Sequence, residues 1–191
     1  MKRAALIAGL ILLPLGWAAA IVGGMTGHMA GHMIAVAVAA PLVAWGLHGS
    51  RLDPAARWPR TVTPMATMLV ELVVVWGWHV PSMRTLADGS GVWLAIEQAS
   101  FLAAGLLLWS AVFAPGHRAG GIGALLLTSM HMTLLGALIG LAPRPLYASM
   151  DHGMEDQQLG GVVMLMIGAA SYFVGGLGML AGLLKMREEP A

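Results

Sequence analysis

The chain alternates long apolar runs with short polar or Gly/Pro-rich breaks. A helix needs roughly 20 apolar residues to cross about 30 Å of hydrocarbon. Six runs reach that length, at about 4–22, 26–47, 62–80, 92–113, 120–141 and 159–184. The breaks between them carry turn and stop signals, among them Gly23-Gly24, Asp53-Pro54, Val80-Pro81 and Ala142-Pro143-Arg144-Pro145. Each connection is short, so no soluble module interrupts the series. The expectation is an all-α, polytopic transmembrane helical bundle of about six spans, forming one integral membrane domain over residues 1–191.

The basic residues orient this bundle. With a cytoplasmic N-terminus, the inner side holds Lys2, Arg3, Arg51, Arg57, Arg60, Arg118, Lys185 and Arg187, and the outer side holds Arg84 and Arg144. That asymmetry satisfies the positive-inside rule and predicts both termini in the cytoplasm. The first run also reads as a secretory signal, with Lys2-Arg3, an apolar core and Ala18-Ala19-Ala20 as a small-residue cleavage site. Cleavage there would leave five spans and keep the orientation of the others.

Composition agrees and narrows the chemistry. Apolar residues make up 58% of the chain and charged residues 10%, against about 25% in soluble domains. A net charge of +1 spread over scattered basic residues gives no nucleic-acid surface. The absence of cysteine excludes disulfides, thiolate metal sites and thiol redox chemistry. With 15 methionines and 7 histidines, any soft-metal chemistry must use thioether and imidazole.

Ionisable groups within spans are costly and therefore informative. Here they are His28, His32, Glu71, His79, Glu97 and His131. At ~1.5 Å of rise per residue, His131 lies roughly 15 Å in from the outer end of its span, and Glu71 is also mid-membrane. His28, His32, His79 and Glu97 fall nearer the outer ends of three other spans. The second span reads Met25-Thr26-Gly27-His28-Met29-Ala30-Gly31-His32-Met33. His28 and His32 share a helix face, and Met25, Met29 and Met33 form a second ladder about 100° away. Imidazole beside thioether suits copper, with thioether favouring Cu(I). The plainer reading makes the methionines adaptable packing and the histidines interhelical hydrogen-bonding groups. Small Gly27, Ala30 and Gly31 leave room for a close partner helix.

Three further groups bear on this centre. Met150, His152 and Met154 form a Met-x-His-x-Met cluster in the outer loop before the last span, suited to recruiting copper. Glu97 is placed to accept from a ligating imidazole and so orient it. Glu71 needs a partner, with His131 one candidate on depth, or else a role in a proton path. Glu155 and Asp156 suit the N-terminus of the sixth helix.

These residues resemble the CtaG-type cytochrome c oxidase assembly factors. The resemblance rests on His28-Met29-Ala30-Gly31-His32-Met33, Trp78-His79-Val80-Pro81, Glu97-Gln98, and Met130-His131 with Pro143, Pro145, Leu146 and Tyr147 downstream. Asp156-Gln157-Gln158-Leu159-Gly160-Gly161 completes it. It implies a multi-pass protein of the bacterial inner membrane that helps make an active haem–copper oxidase and is thought to act in copper delivery. His28, His32, His79, Glu97, His131 and Asp156 are the positions it marks. Gln98 stands where the family often has histidine, and many members have an extra span.

The expectation is thus a copper-binding assembly factor and not an enzyme. Its metal set is His28, His32, His79 and His131 with Met25, Met29, Met33, Met150, His152 and Met154, supported by Glu97, Asp156 and Glu71. Its partners would be lipid, the oxidase subunit carrying the membrane-embedded copper centre, and a periplasmic copper donor. The alternatives are a haem-binding electron-transfer cytochrome, with two histidines as axial ligands, and a copper transporter.

Overall fold

The computed structural model describes residues 1–147 and 153–188. Helix α1 (Lys2–Val22) turns at Gly23 into α2 (Gly24–Met33). A π-helical stretch, Ile34–Ala39, carries α2 on into α3 (Ala40–Leu47). A short α4 (Pro54–Arg57) precedes α5 (Pro64–Trp78) and α6 (Pro81–Asp88). The long helices α7 (Gly91–Phe113), α8 (Arg118–Gly140) and α9 (Gly153–Glu188) complete the chain. The described residues contain no strand.

Five stretches are long and apolar enough to span a membrane: α1, α2 through α3, α7, α8 and α9. A sixth arises if α5 and α6, bent by 72° across a short break, count together. The all-helical, multi-pass reading therefore stands. The third expected span differs in form, because α5 has only 15 residues and ends at Trp78. Pro81 is the cause. It offers no N–H and pushes the residue before it out of helical geometry, and Val80 is extended at ψ 130°.

The span from α2 through α3 is the centre of the bundle, 56% buried against 11% for α1. Most of what projects from it therefore meets protein and not lipid. By contrast, Ile7, Leu10, Ile11 and Leu15 of α1 are exposed, as an outer lipid-facing helix requires. Close packing between α1 and α2 depends on glycine. A Cβ at Gly31 would lie 2.5 Å from the Gly16 carbonyl oxygen and 2.8 Å from the Ala20 Cβ. Gly161 plays the same part between α9 and α8, where a Cβ would lie 2.5 Å from the Gly140 nitrogen.

The π-helical stretch shifts the backbone register just past His32 and changes which carbonyls are satisfied within the helix. Helix α9 supplies outside partners. Ser171 donates to the Ala37 carbonyl, and the Tyr172 hydroxyl lies 3.3 Å from that of Val36. At the other end of the bundle, Asp53 ties the turn before α4 to α7. It accepts from the Ser110 hydroxyl and from the N–H groups of Gly49 (2.8 Å) and Ala55 (3.2 Å). Burial pushes its carboxyl up, but these bonds and nearby His48 outweigh that and hold it below its usual range.

Candidate metal centre

Three elements deliver the site. Helix α2 carries His28 and His32 one turn apart on its inward face, and His79 caps the C-terminal end of α5. All three are buried, and one ring nitrogen from each lies within 4.8 Å of the others. The ring centroids are 5.2 Å apart for His28–His32, 5.8 Å for His28–His79 and 5.0 Å for His32–His79. The Met29 sulfur sits among them, 3.1 Å from His32 Nε2 and 3.5 Å from His79 Nε2.

The donor set fits a soft, low-coordinate metal ion. Metal–imidazole bonds of about 2.0 Å place three trigonal nitrogens roughly 3.5 Å apart, a small side-chain adjustment from the observed cluster. His79 is already oriented for this. Its Nδ1–H donates to the Val75 carbonyl at 2.6 Å, leaving the Nε2 lone pair to face Met29. The His79 carbonyl accepts from the Tyr147 hydroxyl at 2.9 Å, which fixes the end of α5. Burial pushes that hydroxyl's pKa up to about 12, so it is a lasting donor at neutral pH. His32 Nδ1 has no hydrogen-bond partner in this arrangement. The Phe101 ring closes the cluster, 4.8 Å from the His32 ring.

An ionic group adjoins the histidines. Arg84 of α6 is buried, and its Nη1 donates to both carboxylate oxygens of Glu97, at 2.8 and 3.0 Å. The same Nη1 lies 2.7 Å from His28 Nδ1 and 3.2 Å from His28 Nε2. On its other side Arg84 pairs with Asp88 through Nε at 3.0 Å and Nη2 at 2.6 Å. His28 Nδ1 is 3.8 Å from Glu97 Oε2.

The remaining expected residues divide clearly. Of the methionine ladder, Met29 reaches the imidazoles. Met25 and Met33 lie in the core against α9, near Gly160 and Gly168. His131 is buried on α8 outside the three-histidine group, and neither of its ring nitrogens has a hydrogen-bond partner. Glu71 accepts from the Tyr172 hydroxyl and from the Thr128 hydroxyl at 3.3 Å. Met154 lies half-buried in the first turn of α9, while Met150 and His152 lie outside the described residues.

Asp156 serves α2. Its two carboxylate oxygens accept the N–H groups of Met25 (2.6 Å) and Thr26 (3.1 Å). It thereby satisfies two free donors at the positive end of the helix that bears His28 and His32, while sitting in the first turn of α9. Its neighbour Gln157 accepts from the Leu146 N–H at 2.7 Å and donates to the Ile139 carbonyl at 3.2 Å, anchoring the loop that brings Tyr147 to His79.

Reasoning from sequence assigned no role at the site to Arg84, Asp88 or Phe101. Arg84 looked like one of two outer-side cations, and only the fold of α6 back over α7 turns it inward. The one local hint was Arg84-x-x-x-Asp88, an i, i+4 ion pair.

Taken together, this is a multi-pass helical membrane protein with a buried cluster of three histidines and a methionine. The chain belongs to the cytochrome c oxidase caa3 assembly factor family (Caa3_CtaG), whose model it matches over residues 4–186. No curated protein and no solved structure matches it.

Proposed function

We propose that this assembly factor binds Cu(I) through His28, His32, His79 and Met29 and hands it to the membrane-embedded copper centre of a haem–copper oxidase. The observation that carries this reading is the convergence of three buried imidazoles, two of them within 3.5 Å of one thioether sulfur. In hydrocarbon-facing protein, idle imidazole is costly, and this ligand chemistry matches Cu(I). Family membership supplies the oxidase as partner. A recipient site within the membrane explains why the donor site lies within a membrane bundle and not in a soluble domain. Transfer then proceeds by exchange of ligands between the two proteins, without catalytic turnover.

In this reading the protein lies in the bacterial inner membrane with both termini in the cytoplasm and the histidines in the outer half. Copper arrives from a periplasmic donor by way of Met150, His152 and Met154. The haem alternative is less well supported. Met29 and Phe101 fill the space between and beside the imidazoles, where a macrocycle would need an open slot. The transporter alternative lacks a second station: among the described residues, the three histidines form the one group of imidazoles or carboxylates placed to hold a metal ion.

Metal and haem content of detergent-purified protein tests the proposal. Wild type should take up about one Cu(I) per chain after anaerobic loading and show no Soret band. The His28→Ala/His32→Ala variant should remain helical and membrane-inserted, with Cu(I) affinity reduced at least a hundredfold. Stoichiometric copper in that variant would sink the site, and stoichiometric haem in wild type would replace it.

A further inference from the structure

We infer that Arg84 occupies the copper site as a built-in competing cation: its guanidinium and the metal ion take turns beside His28 and Glu97. This rests on the copper reading above and adds how the site is closed when empty and why a monovalent ion fits it.

The argument begins with charge. Arg84 Nη1 lies 2.7 Å from His28 Nδ1 and 3.2 Å from His28 Nε2, which sets the guanidinium against the ring face and not along either in-plane lone pair. A metal ion about 2 Å from either nitrogen would therefore sit within about 5 Å of a positive guanidinium. At an effective dielectric near 20, the guanidinium alone would weaken binding by up to roughly two orders of magnitude, and it also occupies the Glu97 carboxylate that would otherwise attract the ion. Arg84 must withdraw before copper can be held by all three histidines.

Glu97 explains why the exchange is balanced. It is buried, and a buried carboxylate needs a cation beside it. In this structure the cation is Arg84, at 2.8 Å. With Arg84 gone, one Cu(I) bound to His28 restores the same single positive charge. Glu97 Oε2, 3.8 Å from His28 Nδ1, is then placed to accept the imidazole N–H. A divalent ion would bring one charge too many.

The fold lets Arg84 move as a unit. It sits on the two-turn helix α6, bent 72° from α5 across a break at His79 and Val80. Asp88 lies one turn along that same helix, so Arg84 leaves the site with an acidic partner already attached, at 2.6 Å. The break adjoins His79, and displacement of α6 therefore acts on two of the three histidines at once.

The test compares wild type with Arg84→Gln and with Arg84→Gln/Glu97→Gln, which removes the ion pair as a unit if the single variant is too unstable to purify. Cu(I) affinity is measured by competition with a chromophoric Cu(I) chelator, and thermal unfolding is followed with and without the metal. Arg84→Gln should bind Cu(I) ten- to a hundredfold more tightly than wild type. Its melting temperature should fall in the metal-free protein and recover on Cu(I) loading more than that of wild type rises. The double variant should also bind more tightly than wild type, by a smaller factor. Unchanged or weaker affinity in both variants, with copper still bound by wild type, overturns the competing-cation proposal and leaves the copper site standing. Absence of Cu(I) binding in wild type and both variants overturns the copper reading and this proposal together. Binding by the variants and not by wild type would uphold the competing cation while overturning the expectation that wild type loads copper unaided.

Discussion

Two carboxyls, Glu97 and Glu71, are equally buried in this bundle and are held in different ways. Glu97 rests beside a histidine and against the guanidinium of Arg84, which a short helix carries. Glu71 rests against two hydroxyls, Tyr172 of α9 and Thr128 of α8. Tyr172 is itself fixed, fully buried and stacked on Trp109 with ring centroids 5.8 Å apart. The Glu97 partner rides on α6, which packs chiefly against α7 and α5 and joins the latter through a sharp bend. The lesson is that burial alone does not assign a role. A carboxylate whose cation sits on a short helix beyond a sharp bend is the one placed, in our proposal, to trade that cation for a metal ion. A carboxyl locked between core hydroxyls joins helices.

The largest expected effect separates the two regions directly. Arg84→Gln leaves Glu97 without a cation and should cost about 3–5 kcal/mol in metal-free protein, with much of the loss returning when Glu97→Gln is added. Thermal melts of the purified proteins would measure both. If the single variant melts like wild type, Glu97 needs no cation and the contrast collapses. In the second region, Tyr172→Phe removes a donor from Glu71 and should cost about 1–3 kcal/mol, with Cu(I) affinity unchanged. A loss of copper there would mean the two regions are coupled.

Smaller changes sharpen the picture. Met29→Leu is close to volume-conserving, so stability should move by less than about 1.5 kcal/mol. Removal of the thioether should nevertheless weaken Cu(I) about tenfold, or ~1.4 kcal/mol, in a chelator titration. Equal affinity would make Met29 a packing residue like Met25 and Met33. The smallest effect is expected for Glu71→Gln, below about 1 kcal/mol. The amide oxygen still accepts from Tyr172, and the amide N–H donates to the Thr128 oxygen. A large loss of stability or of copper would show that Glu71 does more than join helices.

Much of this was legible in the residues themselves. Run length and scarcity of charge dictate a multi-pass helical protein, because lipid tolerates little else. The cost of imidazole in hydrocarbon singled out His28, His32, His79 and His131, and helical periodicity paired the first two. The roles of Asp156, Tyr147 and Gln157 could not be derived this way. Asp156 and Tyr147 act on elements far away in sequence, as Asp156 does on α2 across 130 residues, and Gln157 bridges a loop whose path the sequence leaves open. Periodicity places Met25, Met29 and Met33 on one ladder and cannot say which sulfur turns towards the imidazoles. The fold decides that: the Met29 sulfur reaches the His32 and His79 rings, while Met25 and Met33 pack near Gly160 and Gly168 of α9.

By itself, then, the sequence determined the solvent, the helical class and the ligand types, since these follow from local composition and from transfer energies of single side chains. Tertiary structure alone decided the membership of the cluster. Four histidines within spans were candidates, and three converge because α5 stops at Trp78, ahead of Pro81, and presents His79 to α2, while His131 lies on a helix apart. It also decided that Arg84 faces inward. A two-turn helix bent back over α7 reverses what a linear count of outer-side charges would predict, because the direction of a side chain depends on the path of the backbone and not on its position along it.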